Sequence, residues 1–279
     1  MIFDCHTHIF GVGQVGGATL SAVKKAWGEH MELVALPEQH WETVKDVDGA
    51  IVLAFDAPAV GIVVPNEDVA RYVAQHPTRL FGFASVDPNH IYAASRLEKA
   101  IKEYQLSGLK LGPIYQNFYP DHKEHFALYA KANELGIPIL WHQGTSFVPE
   151  GYLDASRPAA LDPIARAFPD LTMVIAHMGH PWVDECISLV RKHPRLFMDI
   201  SALGGRPWQF YNAIVSAMEY GVTHKIIFGS DYPFFTTTQT IELFRKLKDI
   251  GEGANIPRIP EEVIEKIIHQ NTPELLRLR

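Results

Sequence analysis

The chain opens on an apolar run that leads into a His-x-His pair, His6 and His8. Alternate side chains of a strand point to one side, so two such imidazoles face the same way and form half of a metal site. Further along, His142, His177 and Asp231 each follow an apolar run of their own. His6, His8, His142 and Asp231 together make a donor set of three nitrogens and one oxygen for one divalent ion, zinc first and manganese second. Imidazole suits borderline ions, and the carboxylate neutralises charge. Water in an open position of such a site has its pKa lowered towards ~7. His177 and Asp231 are then the residues expected to move its proton, with His177 as general base or electrophile.

Those residues need elements that bring them to one place. Eight short apolar runs (residues 2–5, 50–55, 80–86, 108–111, 137–141, 172–176, 196–200 and 225–228) recur, after the first interval, every ~25–35 residues, a spacing that suits βα units. Amphipathic stretches at 68–75, 92–104, 126–135, 182–192, 208–220 and 240–247 predict helices between them. Gly136 and Gly221 fit helix C-caps. Residues 76–83, 168–175 and 193–200 repeat one arrangement of helix end, proline, short turn and apolar strand. The runs are apolar throughout rather than alternately, as in a parallel sheet buried on both faces. Eight units predict one domain over residues 1–279, a single (β/α)8 TIM barrel, with 261–268 and 273–277 as extra C-terminal helices. A doubly wound open sheet is the rival fold, but no Gly-x-Gly-x-x-Gly follows the first strand. Residues 9–47, glycine-rich at Gly11, Gly13, Gly16 and Gly17, predict a mobile loop over the mouth and a helix.

A barrel gathers its active site at the C-terminal ends of its strands. The sequence puts there His6 and His8, Asp56, Asp87, Lys110, His142, His177, Asp199 with Ser201, and Asp231. Three strands deliver imidazoles to one rim and another delivers a carboxylate.

Bulk properties narrow the class. The chain has 279 residues and a formal charge of −7, from 25 basic and 32 acidic side chains, with no basic stripe, so nucleic acid is not an expected partner. The longest apolar stretch, residues 50–64, is broken by Asp56, Pro58 and Gly61, so no membrane span is expected. The first residues lack the basic region of a signal peptide, and Cys5 and Cys186 suggest no disulfide framework. A cytoplasmic protein is expected.

Five segments, Asp4-Cys5-His6-Thr7-His8, residues 140–144 (LWHQG), 175–182 (IAHMGHPW), 228–234 (FGSDYPF) and 271–276 (NTPELL), resemble in order the amidohydrolase superfamily. Within it they resemble the amidohydrolase-2 branch, which includes aminocarboxymuconate-semialdehyde decarboxylase. The resemblance implies a (β/α)8 barrel with one zinc or similar ion. It implies His6, His8, His142 and Asp231 as ligands and His177 as the histidine acting on substrate or water. The branch holds non-oxidative decarboxylases, hydrolases of C–C bonds and lactones, and a hydratase; it also implies a homodimer. The chain is shorter than the decarboxylases and nearer in size to lactonase-like members, some of which hold no metal. Lys110 stands where binuclear members carry a carbamylated lysine; the branch is mononuclear, so Lys110 is read as a pocket lysine or ion-pair partner.

The expected function is a metal-dependent hydrolase acting on a small organic acid or carbonyl substrate. The alternative is a non-oxidative decarboxylase; a metal-independent lactonase or an inactive binding barrel ranks behind. Arg206 either clamps a substrate carboxylate or lies on the surface, and His180 either caps a helix or lines the pocket. Trp182 and Tyr232 either wall the pocket or pack ordinarily. Asp56, Asp87 and Asp199 read as caps or turn formers, and Cys5 as a small core residue pointing away from His6. His122 and His125 read as a solvated helix start. His30, His40, His76, His90, His193, His224 and His269 carry no signal.

Overall fold

In a computed structural model that describes residues 1–278, every run that is apolar throughout becomes a buried strand; Arg279, the last residue of the expected domain, lies outside the described residues. In chain order the strands are β1 (Phe3–His8), β2 (Gly49–Leu53), β3 (Phe55–Ala57), β4 (Ile62–Val64), β5 (Leu80–Ser85), β6 (Gly108–Leu111), β7 (Ile139–Trp141), β8 (Met173–Ile175), β9 (Leu196–Asp199) and β10 (Ile226–Ile227). Eight of them form one parallel sheet in the order β1-β2-β5-β6-β7-β8-β9-β10. The ends of this sheet meet through single bonds rather than a ladder. Cys5 N–H donates to the Phe228 carbonyl at 3.0 Å and His8 N–H to that of Tyr232 at 2.9 Å. The expected (β/α)8 barrel is therefore the observed fold.

The helices are α1 (Gly17–Trp27), α2 (Pro37–Val44), α3 (Asn66–Val73), α4 (Ala93–Lys102), α5 (Pro113–Gln116), α6 (Phe126–Leu135), α7 (Asp162–Ala167), α8 (Val183–Lys192), α9 (Pro207–Glu219), α10 (Thr237–Arg245), α11 (Glu261–Ile268) and α12 (Thr272–Leu276). Amphipathic periodicity located α3, α4, α6, α8, α9 and α10 to within a few residues, because each lays an apolar stripe on the sheet. Gly136 ends α6 in the left-handed conformation, at φ 67°, that residues with a Cβ avoid. Among the described residues, no helix is long and apolar enough to cross a membrane.

Two element boundaries change. The run at 50–55 divides into β2 and β3, and β3 pairs antiparallel with β4. Pro58 starts the turn between them, and Gly61, at φ 71°, ends it. Residues 9–47 hold two helices, α1 and α2, not one.

The core has two layers. Phe3, Cys5, Ile51, Leu53, Phe83, Leu140, Val174, Phe197 and Ile227 fill the barrel interior, and Leu276 of α12 joins them. The intervening strand positions, such as Ala50, Val52, Leu109 and Leu111, pack outward against the helices. Cys5 is thus a buried core residue, but it does not point away from His6 as expected. The β1–β2 pairing shifts register between Asp4 and Thr7. A bulge of this kind re-aims the side chains beyond it. Phe3 and Cys5 face inward before the shift, His6 and His8 face inward after it, and Asp4 and Thr7 point outward.

Candidate active site

The outward residues of β1 anchor the inward ones. The buried Asp4 carboxylate accepts Ser230 N–H at 2.9 Å, His6 N–H at 3.3 Å and the Thr237 hydroxyl at 2.7 Å, tying β1 to the segment before Asp231 and to α10. Thr7 donates its hydroxyl to the Ile51 carbonyl at 2.5 Å. Its oxygen must then accept from His40 Nε2 at 2.7 Å, which leaves His40 Nδ1 to accept the Tyr72 hydroxyl at 2.8 Å. Burial first, then His76, pushes His40 down to about 3, so this bridge from α2 is a neutral imidazole. Its place on a helix gave no sequence signal for this role.

Asp199, at the end of β9, organises the next layer. It is buried, and its Oδ1 accepts His177 N–H at 2.9 Å, Ser201 N–H at 3.0 Å and the Ser201 hydroxyl. That is the turn-forming role the sequence suggested. Its Oδ2 also faces His6 Nδ1 at 3.0 Å, which the sequence reading missed. Burial pushes the Asp199 carboxyl up, but the charges and hydrogen bonds of His6, His177 and Ser201 outweigh this and hold it below the usual carboxylate range. An ionised Asp199 makes His6 Nδ1 the donor and leaves Nε2 with a free lone pair.

Two more groups able to ligate a metal lie beside that lone pair. His6 Nε2 lies 3.3 Å from Asp231 Oδ1, and His8 Nε2 lies 3.6 Å from the same oxygen. One donor atom from each of the three residues falls within 4.8 Å of the others. Desolvation, and then the charge of Lys110, lowers His6; desolvation and then His6 hold His8 well below its usual value. His8 stacks on Phe10 with ring centroids 5.4 Å apart, and its buried Nδ1 has no hydrogen-bond partner among the described residues. Asp231 adopts φ 66°, a left-handed conformation that aspartate tolerates better than most residues, and its N–H is held by the His6 carbonyl at 2.8 Å. The cation facing this cluster is Lys110, whose Nζ lies 3.2 Å from His6 Nε2. Burial drives Lys110 down to about 8.

His142 and His177 form a second pair. His177, also left-handed at φ 57°, points Nδ1 at the Ser201 carbonyl at 3.0 Å and Nε2 at His142 Nδ1, 3.1 Å away. His142 Nε2 faces the Thr145 carbonyl at 3.3 Å. The structure thus gathers His6, His8 and Asp231 in one donor group and engages His142 with His177. A further group of donors within reach of one another is His6, His177 and Asp199.

All five residues of the expected site, with Lys110, line one cavity of about 170 Å³. Phe10, Phe55, Tyr115 and Phe234 supply aromatic walls, and α1 contributes Val23 and Trp27. Arg206 lines the cavity too, its guanidinium 5.5 Å from the Trp27 ring, with no carboxylate paired to it among the described residues. His180 also lines it, bonded to Gln209 at 2.5 Å. Trp182 and Tyr232 pack elsewhere, beside Arg157 and His40. His125 is buried, with Nδ1 facing the Pro88 carbonyl at 3.3 Å, so the expected solvated face is wrong there: Phe118 packs on the ring and covers it.

Comparison with known proteins adds three findings. The family model described as Amidohydrolase matches residues 3–278. No curated protein matches the chain. Among solved structures, an uncharacterized TIM-barrel protein from Bordetella bronchiseptica superposes with TM-score 0.77 at 21% identity, covering 99% of this chain and 98% of that one. A probable 2-pyrone-4,6-dicarboxylic acid hydrolase from Acinetobacter baumannii, with citric acid bound, gives TM-score 0.69 at 16% identity and 99% coverage of both chains. A 5-carboxyvanillate decarboxylase mutant from Novosphingobium aromaticivorans, with bound manganese, gives TM-score 0.69 at 13% identity, covering 100% of this chain and 97% of that one. At these identities the likeness establishes the shared fold.

Proposed function

The chain belongs to the amidohydrolase family, and from that premise we propose that it is a metal-dependent hydrolase of a small organic acid or carbonyl compound. One observation carries the reading. The His6 Nε2 lone pair, held in place by Asp199, converges with His8 and ionisable Asp231 on one point of the cavity wall. A carboxylate beside the His6 lone pair attracts positive charge, and two neutral imidazoles with a carboxylate fit zinc or manganese. His6, His8 and Asp231 would hold the ion. His142 is the fourth donor of this reading, and it would join by giving up its bond to His177 or to Thr145. When bound, the ion supplies Lewis-acid polarisation of a substrate oxygen.

The protein's own groups do the rest. Asp231 takes a proton from the attacking water as the water oxygen bonds to the substrate carbonyl carbon and opens its C=O π bond, and that proton passes to the leaving group as the scissile bond breaks and the C=O re-forms. His177, with Nδ1 anchored on the Ser201 carbonyl, presents Nε2 to move a proton at the reacting oxygen. Arg206 pairs with a substrate carboxylate in a bidentate contact, since no protein carboxylate holds it. The aromatic walls exclude water and suit a planar substrate; an apolar cavity of about 150 Å³ takes one benzene ring.

Non-oxidative decarboxylation is the second reading, favoured by those aromatic walls and by the manganese-bound decarboxylase of the same fold. A panel of lactones, β-diketones and aromatic acids, assayed together for acid release and for carbon dioxide, separates the two. Acid release without carbon dioxide, at about one metal per chain, supports hydrolysis. Carbon dioxide from an aromatic acid overturns it in favour of decarboxylation. Protein that neither contains nor takes up metal overturns both.

A further inference from the structure

Lys110 is the cation whose Nζ meets the His6 Nε2 lone pair, and its position bears on how the site takes up an ion. Its side chain is buried among the interior residues of the barrel. Among the described residues no carboxylate oxygen lies within 4.0 Å of Nζ; the polar contact it makes is to His6 Nε2 at 3.2 Å, with the Phe55 ring 6.0 Å away. Because Asp199 fixes the proton of His6 on Nδ1, the Lys110 N–H donates into the Nε2 lone pair. That is the same lone pair a metal ion needs.

We propose that Lys110 and the metal ion are alternative occupants of His6 Nε2, so that the lysine acts as a built-in competitor that fills the site when no ion is bound. The inference rests on the metal reading of His6, His8 and Asp231 given above. A nitrogen lone pair accepts one hydrogen bond or makes one coordinate bond, so the two cannot coexist. Uptake of an ion therefore breaks the Lys110–His6 bond and moves Nζ away from it. The ε-amine sits on a flexible stem and lines the cavity, which gives it room to swing clear. The same exchange removes an unfavourable approach of two positive groups. Nζ places a donor at the His6 Nε2 lone pair and a positive charge in the same cluster as Asp231.

Lys110→Met keeps the apolar stem and removes the donor. Titrated calorimetrically with Zn²⁺ and with Mn²⁺ alone, the folded variant is expected to bind either ion about ten- to a hundredfold more tightly than wild type, the scale of one hydrogen bond to an ionised group. Lys110→Leu serves if the methionine variant does not fold. Affinity equal to that of wild type overturns the proposal, and weaker binding or a lost equivalent overturns it by making Lys110 a ligand. Metal bound by neither protein overturns the metal site and the competition with it, whereas binding by wild type at unchanged strength in the variant spares the site and sinks the competition. A zinc-soaked crystal of wild type gives an independent answer. Nζ must leave hydrogen-bond distance of His6 Nε2; an ion bound with that contact intact refutes the exchange.

Discussion

Replacing Asp199 by asparagine isolates the carboxylate that sets the tautomer of His6. Three of its four contacts reach Oδ1, from His177 N–H, Ser201 N–H and the Ser201 hydroxyl, and an amide oxygen keeps all three. The fourth, His6 Nδ1–H to Oδ2 at 3.0 Å, becomes donor against donor. His6 relieves the clash by moving its proton to Nε2, which blocks the lone pair that faces Asp231. Holding an ion through Nε2 then requires restoring the donor–donor contact and giving up the new hydrogen bond. A hydrogen bond involving a charged group contributes ~1.5–3 kcal/mol, and ~1.4 kcal/mol is tenfold in affinity. Zn²⁺ or Mn²⁺ affinity of Asp199→Asn should therefore fall roughly ten- to a hundredfold, as for other partners behind metal-bound histidines. Chelator-competition titration reads the affinity, thermal unfolding confirms the fold, and ¹⁵N NMR reads the tautomer. A folded variant that binds metal within about twofold of wild type, with His6 still protonated at Nδ1, refutes the reasoning.

Three more outcomes follow from the geometry. Burial raises Asp4 from 3.8 to about 6, so the folded state holds its proton more tightly than the unfolded state, and stability falls as pH rises through that window, by ~3 kcal/mol in all. Asp4→Asn keeps an acceptor for Ser230 and offers a donor to Thr237; it should melt higher than wild type at neutral pH and lose the slope between about 4 and 6, and a lower melting point with the slope retained counts against it. Arg206→Met should raise KM for a carboxylate substrate about a hundredfold with kcat little changed, the signature of lost uniform binding; an unaltered KM removes Arg206 from substrate recognition. Gly108→Ala puts a Cβ 2.5 Å from the Phe83 ring inside the barrel, so overpacking should cost ~1–3 kcal/mol and lower the melting temperature by several degrees; an unchanged melting temperature would mean that the ring yields freely.

The local pattern of the chain determined the elements and the rim. Strands buried on both faces are apolar on both faces over most of their length, so their runs stand out in the sequence, and helices laid on them carry a 3.6-residue stripe. The eightfold recurrence then implied the barrel, and its strand ends brought His6, His8, His142, His177, Asp231 and Lys110 to one cavity. What escaped was whatever depends on a contact between distant segments. The direction of Cys5 was misjudged because the register shift in β1 arises only when β1 pairs with β2. The bridge from Tyr72 through His40 to Thr7 joins residues from α3, α2 and β1, and neither helix pattern marks it. His125 looked solvated because neighbouring charges are visible in sequence and a covering Phe118 ring is not. Asp199 looked like a turn former because that half of its role is local, while its grip on His6 spans the barrel. The sequence by itself thus put His6, His8, His142, His177 and Asp231 at one rim, while Arg206 and His180, which it left open, line the cavity and Asp56 and Asp87 do not. Tertiary structure decided which nitrogen of His6 is free and which donor faces it, because that tautomer is set by a hydrogen bond to Asp199, a residue distant in the chain.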